Sequence, residues 1–474
     1  MPAVTGDRLP ASPAPADRAS RTPPSVGSRG VRLGTAVLVN YAAPLVSAQF
    51  IYMMVLVMYM NFATDVLGVA PGVIGTIFFV SKIWDAVSDP MVGYWSDRTR
   101  SRFGRRRSWM LASALPLGAV SIMIWSPPEW LSGNALIAWI VVSIFAFYTV
   151  YTVYMVPQLA LGAELSPLPG ERGRAFGARQ IAVTLGMLLA FVFAAPLLVD
   201  AETARASARL LAWCGALVTI VAIVSCTLAL PEERRDYAGR GAASPVGAIR
   251  DVLRNPHARL LLFVYFIEIF GIGGTTAMTV YLLKYVTKAA DFVGLVFLAY
   301  TIPAIFSIPL WVRLGQRYER HRVWLFAMGL SAIGYGSMVF QDEGRLLLMV
   351  FSSLINGFAM GCGQTLGQAI KADVVDYDEY LTGERKEGAY YATWNLAGKL
   401  GTGLMMALAG WALQASGFQE NVEQTAVTRW TILMLMGGTP FVCMLIGMFA
   451  FRRFSLTSAE HARIRAVIDA RGSR

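Results

Sequence analysis

The chain alternates long apolar runs with short polar breaks. Twelve such runs stand out, at about 34–62, 72–95, 108–126, 134–163, 175–199, 208–230, 259–284, 292–312, 323–340, 346–370, 387–415 and 428–450. Each is long enough to cross a bilayer as a tilted helix, because the hydrocarbon core, about 30 Å thick, takes about 20 helical residues. Neighbouring runs are joined by short loops, except for a longer polar connection that carries PEERRDYAGRGAASP. The pattern predicts an all-α membrane protein with an N-terminal six-helix half over 31–230, a cytoplasmic linker over 231–258 and a C-terminal six-helix half over 259–451. Residues 1–30 are rich in Pro, Ala, Ser and Arg and lack an apolar h-region, so they read as a disordered cytoplasmic tail; 452–474 reads as a second cytoplasmic tail. The third run opens RRRSWML and the ninth RHRVWLF. That echo, with the six-plus-six count, favours a two-half transporter whose site lies at the midplane between the halves.

Composition agrees with the pattern. Of 474 residues, 55% are hydrophobic and only 15% are charged, where soluble domains carry about a quarter charged residues. The net charge of +11 does not point to nucleic acid, because its basic residues cluster in the loops after every second run. These are Arg98–Arg107, Arg172 and Arg174, the arginines from Arg234 to Arg254, Arg313 to Arg322, and Arg385 with Lys386. Cytoplasmic loops carry such an excess, so both termini are expected in the cytoplasm of a plasma (inner) membrane protein. The four cysteines lie in apolar stretches and read as small buried hydrophobes. The three histidines lie in loops or tails, so a histidine proton relay is not expected.

What changes the picture is charge inside the apolar runs. Lys82, Asp85 and Asp89 sit within the second run. A charged residue at mid-bilayer costs about 2.5–3.5 kcal/mol on insertion scales, so its default reading is functional. Asp85 lies twelve residues, about 18 Å, from Asp97 at the rim, with Asp89 one turn nearer the cytoplasm on the same face and Lys82 sharing it. Two carboxylates at that depth can share a cation, Na⁺ through hard oxygen ligands or H⁺ through a carboxyl; alternatively Lys82 or another lysine neutralises them structurally. Lys399 in the eleventh run has matching depth and needs an acidic partner, and the two aspartates are the candidates. No organic cofactor is expected, only the coupling ion.

A third group is polar. Tyr148, Tyr151, Thr152 and Tyr154 on the fourth run, Trp394 and Asn395 on the eleventh and Gln49 on the first offer hydroxyls, amides and ring faces that suit a polyhydroxyl solute, although such stripes also serve helix packing. Glu268 on the seventh run is either a cavity residue or a neighbour's partner. At the cytoplasmic face, Asp97, Arg98, Arg105 and Arg106 form one charged cluster, Glu164 with Arg172 and Arg179 a second, and Asp373, Asp376 and Arg385 with their acidic neighbours a third. Acidic and basic groups on opposite halves could close that side by ion pairs and release it again.

KIWDAVSDPMVGYWSDRTRSRFGRRRSW (82–109) resembles the signature of the glycoside–pentoside–hexuronide:cation symporters, the melibiose-permease group of the major facilitator superfamily. KADVVDYDEYLTGERKEGAYYATWNLAGKLG (371–401) resembles that group's second signature. The resemblance implies a major facilitator fold, twelve transmembrane helices in two six-helix halves around a central cavity. It also implies a cation site at Asp85, Asp89 and Thr152, with Asn395 and the family lysine at Lys399. The span-4 tyrosine falls at Tyr151 and the span-5 arginine near the sugar at Arg179. The sugar side departs from the family: Gln49 stands where melibiose-type members carry an acid, Met155 replaces a second acid, and Leu159 replaces an aromatic. Lys82 replaces a more usual arginine.

The expected function is therefore cation-coupled symport (Na⁺ or H⁺) of a sugar, glycoside or similar small organic solute by a monomer in the bilayer. The alternatives are an exporter or uniporter in which Asp85 and Asp89 are structural and, more distantly, a non-transporting sensor. The chain contains no HExxH, nucleophile elbow or Walker loop, so no enzyme is expected.

Overall fold

The computed structural model describes residues 32–166, 168–193, 197–198, 201–230, 250, 252–384 and 386–472. The expected N-terminal tail, most of the 231–258 linker and Arg385 lie outside the described residues. The helices are α1 (Thr35–Asp65), α2 (Pro71–Arg98), α3 (Arg105–Trp125), α4 (Gly133–Glu164), α5 (Pro169–Val192), α6 (Ala201–Ala229) and α7 (Pro256–Val286). After these come α8 (Ala290–Phe306 and Ile308–Arg317, bent by 41°), α9 (Arg320–Met338), α10 (Leu346–Thr382), α11 (Glu387–Ala415), α12 (Ala426–Phe451) and α13 (Ser458–Gly472).

Among the described residues, nine helices are long and apolar enough to span a membrane, ten with the bent α8. The other two of the twelve are α2, whose middle carries Lys82, Asp85 and Asp89, and α9, which opens on Arg320, His321 and Arg322. Proline starts α2, α5 and α7, where a missing N–H costs no helical bond. The bend in α8 follows Pro303, which removes a bond from the helix ladder.

Packing repeats between the halves. In the first, α1 packs on α5 and α6, α2 on α4, and α3 on α4 and α6. In the second, α7 packs on α11 and α12, α8 on α10, and α9 on α10 and α12. The halves meet where α2 runs along α11, α5 touches α8 and α1 touches α7. Advancing every helix by six maps each contact onto another, so the two halves are related by a pseudo-twofold axis between α1 and α7. The bundle is the major facilitator fold, with the cavity between the halves.

Several element ends differ from the apolar pattern. The fifth run was expected at 175–199, yet α5 begins at Pro169 and ends at Val192. The tenth was expected to end at 370, yet α10 continues through a π-turn at Gly363–Gly367 to Thr382. In both cases the helix carries its polar residues beyond the apolar stretch, because backbone hydrogen bonding does not stop where hydropathy falls. Part of the expected C-terminal tail is also ordered. Ile464 of α13 is buried with Phe454 and Leu456 against Trp324 and Phe451.

Candidate functional site

The site forms where α2, α4 and α11 meet between the halves. Helical spacing puts Asp85 and Asp89 on the face of α2 that meets α11. From α11, the Lys399 ammonium lies 2.9 Å from Asp85 Oδ2 and 2.6 Å from Asp89 Oδ2, and it also donates to the Asp85 carbonyl at 3.0 Å. From α4, Thr152 Oγ1 lies 3.0 Å from Asp85 Oδ1 and 3.0 Å from Asp89 Oδ1. A threonine has one hydroxyl proton, so it serves one carboxylate at a time and holds the two together. Asp85 is nearly enclosed, its side chain 11% exposed, whereas Asp89 is 37% and Lys399 20% exposed. Asp89 therefore faces the open part of the cavity.

Lys82 does not compete with Lys399 for the pair. Its ammonium is 4.0 Å from Asp85 Oδ2, donates to the Tyr52 hydroxyl at 3.2 Å and sits 4.0 Å from the centre of the Tyr148 ring. Such a contact with a ring face stabilises a desolvated cation by about 2 kcal/mol. Two lysines and two aspartates leave the cluster electrically balanced, which is how four charges are tolerated at this depth.

An aromatic wall continues from Lys82. The Tyr52 ring stacks on Tyr151 at 4.8 Å, and the Tyr151 hydroxyl donates to Gln49 Oε1 at 3.2 Å. Arg179 of α5 donates to Gln158 Oε1 at 3.2 Å, and Gln158 in turn donates to the Tyr41 carbonyl at 3.2 Å. The structure thus brings together Asp85, Asp89, Thr152, Lys399, Lys82, Tyr151 and Gln49. Arg179 is held two turns further along α4 through Gln158.

Three expected members stand apart. Asn395 is exposed on α11, one turn before Lys399, and hydrogen-bonds to none of the described residues. Trp394 is buried in the second half against Tyr390 and Tyr391, with its indole nitrogen unpartnered. Glu268 is also in the second half, on α7.

The rim charges pair within their own halves. Arg106 bonds Asp97, donates to Ser96 at 2.6 Å and contacts Glu164 at 3.4 Å; Arg105 donates to Glu164 at 2.7 Å. Arg98 stacks over the Tyr94 ring of its own helix. In the second half, Asp373 pairs with Arg320 at 2.7 Å, while Asp376 meets His461 at 3.0 Å and Arg465 at 3.3 Å, both from α13.

The opposite end of the bundle holds a cluster that sequence reasoning missed. Asp65, at the end of α1, is buried. It pairs with Lys284 of α7 at 2.6 Å and accepts hydrogen bonds from Asn61 at 2.9 Å, Thr64 at 2.8 Å and Tyr285. Asn421, from the loop after α11, donates to the Asp65 carbonyl at 2.8 Å and accepts from Lys284 at 2.9 Å. Nearby, Phe191 of α5 stacks on Phe297 of α8 at 4.1 Å. At this end α2 and α11 approach closely enough that a Cβ on Gly410 would meet the Pro71 carbonyl at 2.3 Å, and one on Gly75 the Met406 carbonyl at 2.7 Å. The halves are closed here, and the site opens toward the arginine-rich end.

A cavity of about 860 Å³ lies elsewhere, between α7, α9 and α12. Its walls, including Phe270, Ile333, Phe340 and Val442, are apolar, and several face outward. Its apolar lining offers little to a polar solute.

Two pseudo-symmetric halves, a charge-balanced site between them and one sealed end define a multi-pass secondary transporter of the plasma membrane. The MFS/sugar transport protein profile matches residues 40–458. The chain belongs to that family, among the glycoside–pentoside–hexuronide:cation symporters, which are not enzymes. The inner membrane symporter YicJ of Escherichia coli (strain K12) is 25% identical over 425 residues, 89% of this chain and 92% of its own. The isoprimeverose transporter of Lactiplantibacillus pentosus is 26% identical, covering 81% of each chain. In fold, the chain is similar to a bacterial homologue of the human lysosomal transporter Spinster in its inward-facing, unoccupied conformation. The TM-score is 0.69 at 13% identity, over 88% of this chain and 97% of that one.

Proposed function

We propose that the protein is a symporter coupling an inward cation, Na⁺ or H⁺, to uptake of a sugar, glycoside or similar small organic solute. The observation that carries this reading is the Asp85–Asp89–Thr152 triad, held at the α2–α11 seam with the Lys399 ammonium in the position a cation would take. The family description and the relative named for isoprimeverose support the solute class. The positive-inside rule puts the arginine-rich end in the cytoplasm, with both termini. The sealed end around Asp65 is then extracytoplasmic, and the structure is inward-facing.

In the cycle, the cation is a substrate. With the outer end open, it binds between the two carboxylates and displaces Lys399, whose ammonium carries the same charge. The solute binds against the Gln49–Tyr151 wall, and joint occupancy favours closure of the outer end and opening of the inner one. On release, Lys399 returns to the aspartates and keeps them paired.

Uptake of D-xylose, isoprimeverose and methyl β-D-glucuronide into proteoliposomes, with and without Na⁺ and pH gradients, tests this reading on the wild type and Asp85→Asn. Gradient-driven accumulation is expected in the wild type, and its loss with retained downhill exchange in the variant. Accumulation that persists in Asp85→Asn refutes coupling through this site.

A further inference from the structure

The second half holds a buried polar cluster that the coupling site leaves unused. Glu268 on α7 lies near Lys371 on α10, and neither makes a hydrogen bond or ion pair with a described residue. The Lys371 side chain is buried, its ammonium 3.8 Å from the centre of the Tyr265 ring and 5.5 Å from that of Trp394. Glu268 lines a small cavity with Tyr300, Tyr335 and Asn356. The latter three residues also line an adjoining cavity of about 220 Å³ that reaches Met53 and Met187 of the first half. Asn356 is only 2% exposed, and both its amide oxygen and nitrogen lack a partner. Burying an amide with neither atom satisfied is unfavourable unless a ligand meets it there.

The pseudo-twofold gives an independent reason to read this cluster as a binding wall. Asp65 and Lys284 meet near the axis between α1 and α7 and are 219 positions apart. That step places Glu268 on α7 at about the level of Gln49 on α1. Gln49 and Tyr151, bonded across α1 and α4, are the solute wall of the first half. Glu268 occupies about the matching place on α7.

We propose that Glu268 and Asn356 form a second-half solute subsite for a hydroxyl-rich ring, with Lys371 as a positioning residue that balances the Glu268 charge. The carboxylate accepts from two hydroxyls, the amide donates once and accepts once, and Tyr300 supplies a flat face. The solute is bridged between this subsite and the Gln49–Tyr151 wall, so it senses both halves and can couple to their rocking. The adjoining cavity lined by Tyr300, Tyr335 and Asn356, about 220 Å³, is below the roughly 300–1,000 Å³ of drug-sized clefts, which suits a small sugar.

This rests on the sugar-symport reading, and the test separates the two. Uptake of D-xylose, isoprimeverose and methyl β-D-glucuronide is measured in proteoliposomes for the wild type, Glu268→Gln and Asn356→Ala, together with melting temperature. For the sugar the wild type carries, both variants are expected to raise KM about tenfold or more, with maximal rate and cation dependence nearly unchanged and, in Asn356→Ala, an unchanged melting temperature. An unchanged KM in both variants overturns the subsite and leaves symport standing. A lowered rate and melting temperature at constant KM means a structural role and overturns it too. A wild type that carries none of the three sugars overturns the sugar reading, and the subsite with it.

Discussion

The Asp65–Lys284 pair makes the sharpest mechanical prediction. Replacing Lys284 by Met keeps the side-chain volume and removes the ammonium 2.6 Å from Asp65. Removing one partner of a buried ion pair costs about 3–5 kcal/mol when the remaining charge has no other support. Asp65 keeps hydrogen bonds from Asn61, Thr64 and Tyr285, and the Lys284 side chain is 16% exposed, so the penalty falls to about 2–3 kcal/mol. The cluster exists only while α1, α7 and the loop after α11 are together, so this penalty acts on the closed outer end alone. At about 1.4 kcal/mol per factor of ten, Lys284→Met should shift the ratio of closed to open outer ends by about 30- to 150-fold. Spin labels at Glu129 and Glu423, exposed on opposite halves, report that ratio as a distance distribution. A longer-distance population is expected in Lys284→Met, and its partial reversal in Lys284→Met with Asp65→Asn, where no buried charge is left unpaired. Identical distributions in wild type and Lys284→Met refute the gate.

Two further outcomes follow from the geometry. Thr152→Val keeps the shape of the site and removes the one hydroxyl shared by Asp85 and Asp89, so the half-saturating cation concentration should rise about tenfold, equivalent to one hydrogen bond to a charged group; initial uptake rates across a cation titration read this directly. Gly410→Val places methyl groups where the Pro71 carbonyl now lies, so α2 and α11 are held apart and uptake should fall at least tenfold, whereas Gly388→Val, with open space around it, should transport normally.

Legibility followed how each signal was written in the chain. Asp85, Asp89 and Lys399 stood out because a charge in an apolar run needs no partner to be noticed, and the structure brings them to a common point with Thr152. Asn395 sits one turn before Lys399, as the resemblance placed it, yet it is exposed and bonds none of the described residues. Trp394 lies five positions from Lys399, about 140° around the helix, and so turns into the second half. Lys371 was missed for a more instructive reason. Ending the tenth run at 370, where hydropathy drops, made it a rim residue, whereas α10 continues and buries it. Asp65 and Lys284 looked like loop charges at the ends of apolar runs. Their meeting depends on which helix ends converge, and no local pattern records that. Likewise the rim clusters were legible as charge, but their pairing within each half was not.

On the symport reading, Lys399 is best understood as a tethered cation. Two carboxylates and two lysines leave the empty site neutral, with Lys82 held by the tyrosines and Lys399 by the aspartates. A free cation that joined this set would leave an excess positive charge in a low-dielectric seam, so it enters only as Lys399 leaves. The aspartates are then matched by a cation, bound or tethered, in loaded and empty carriers alike, and each can rock between states without leaving a bare carboxylate. A carrier with the cation site vacated and Lys399 elsewhere would expose two unpaired aspartates in the closing seam, at several kcal/mol. That penalty keeps Lys399 on the aspartates until a cation replaces it. The greater exposure of Asp89 toward the inner cavity gives the order of release: the cation loses Asp85, the enclosed ligand, first and leaves by way of Asp89.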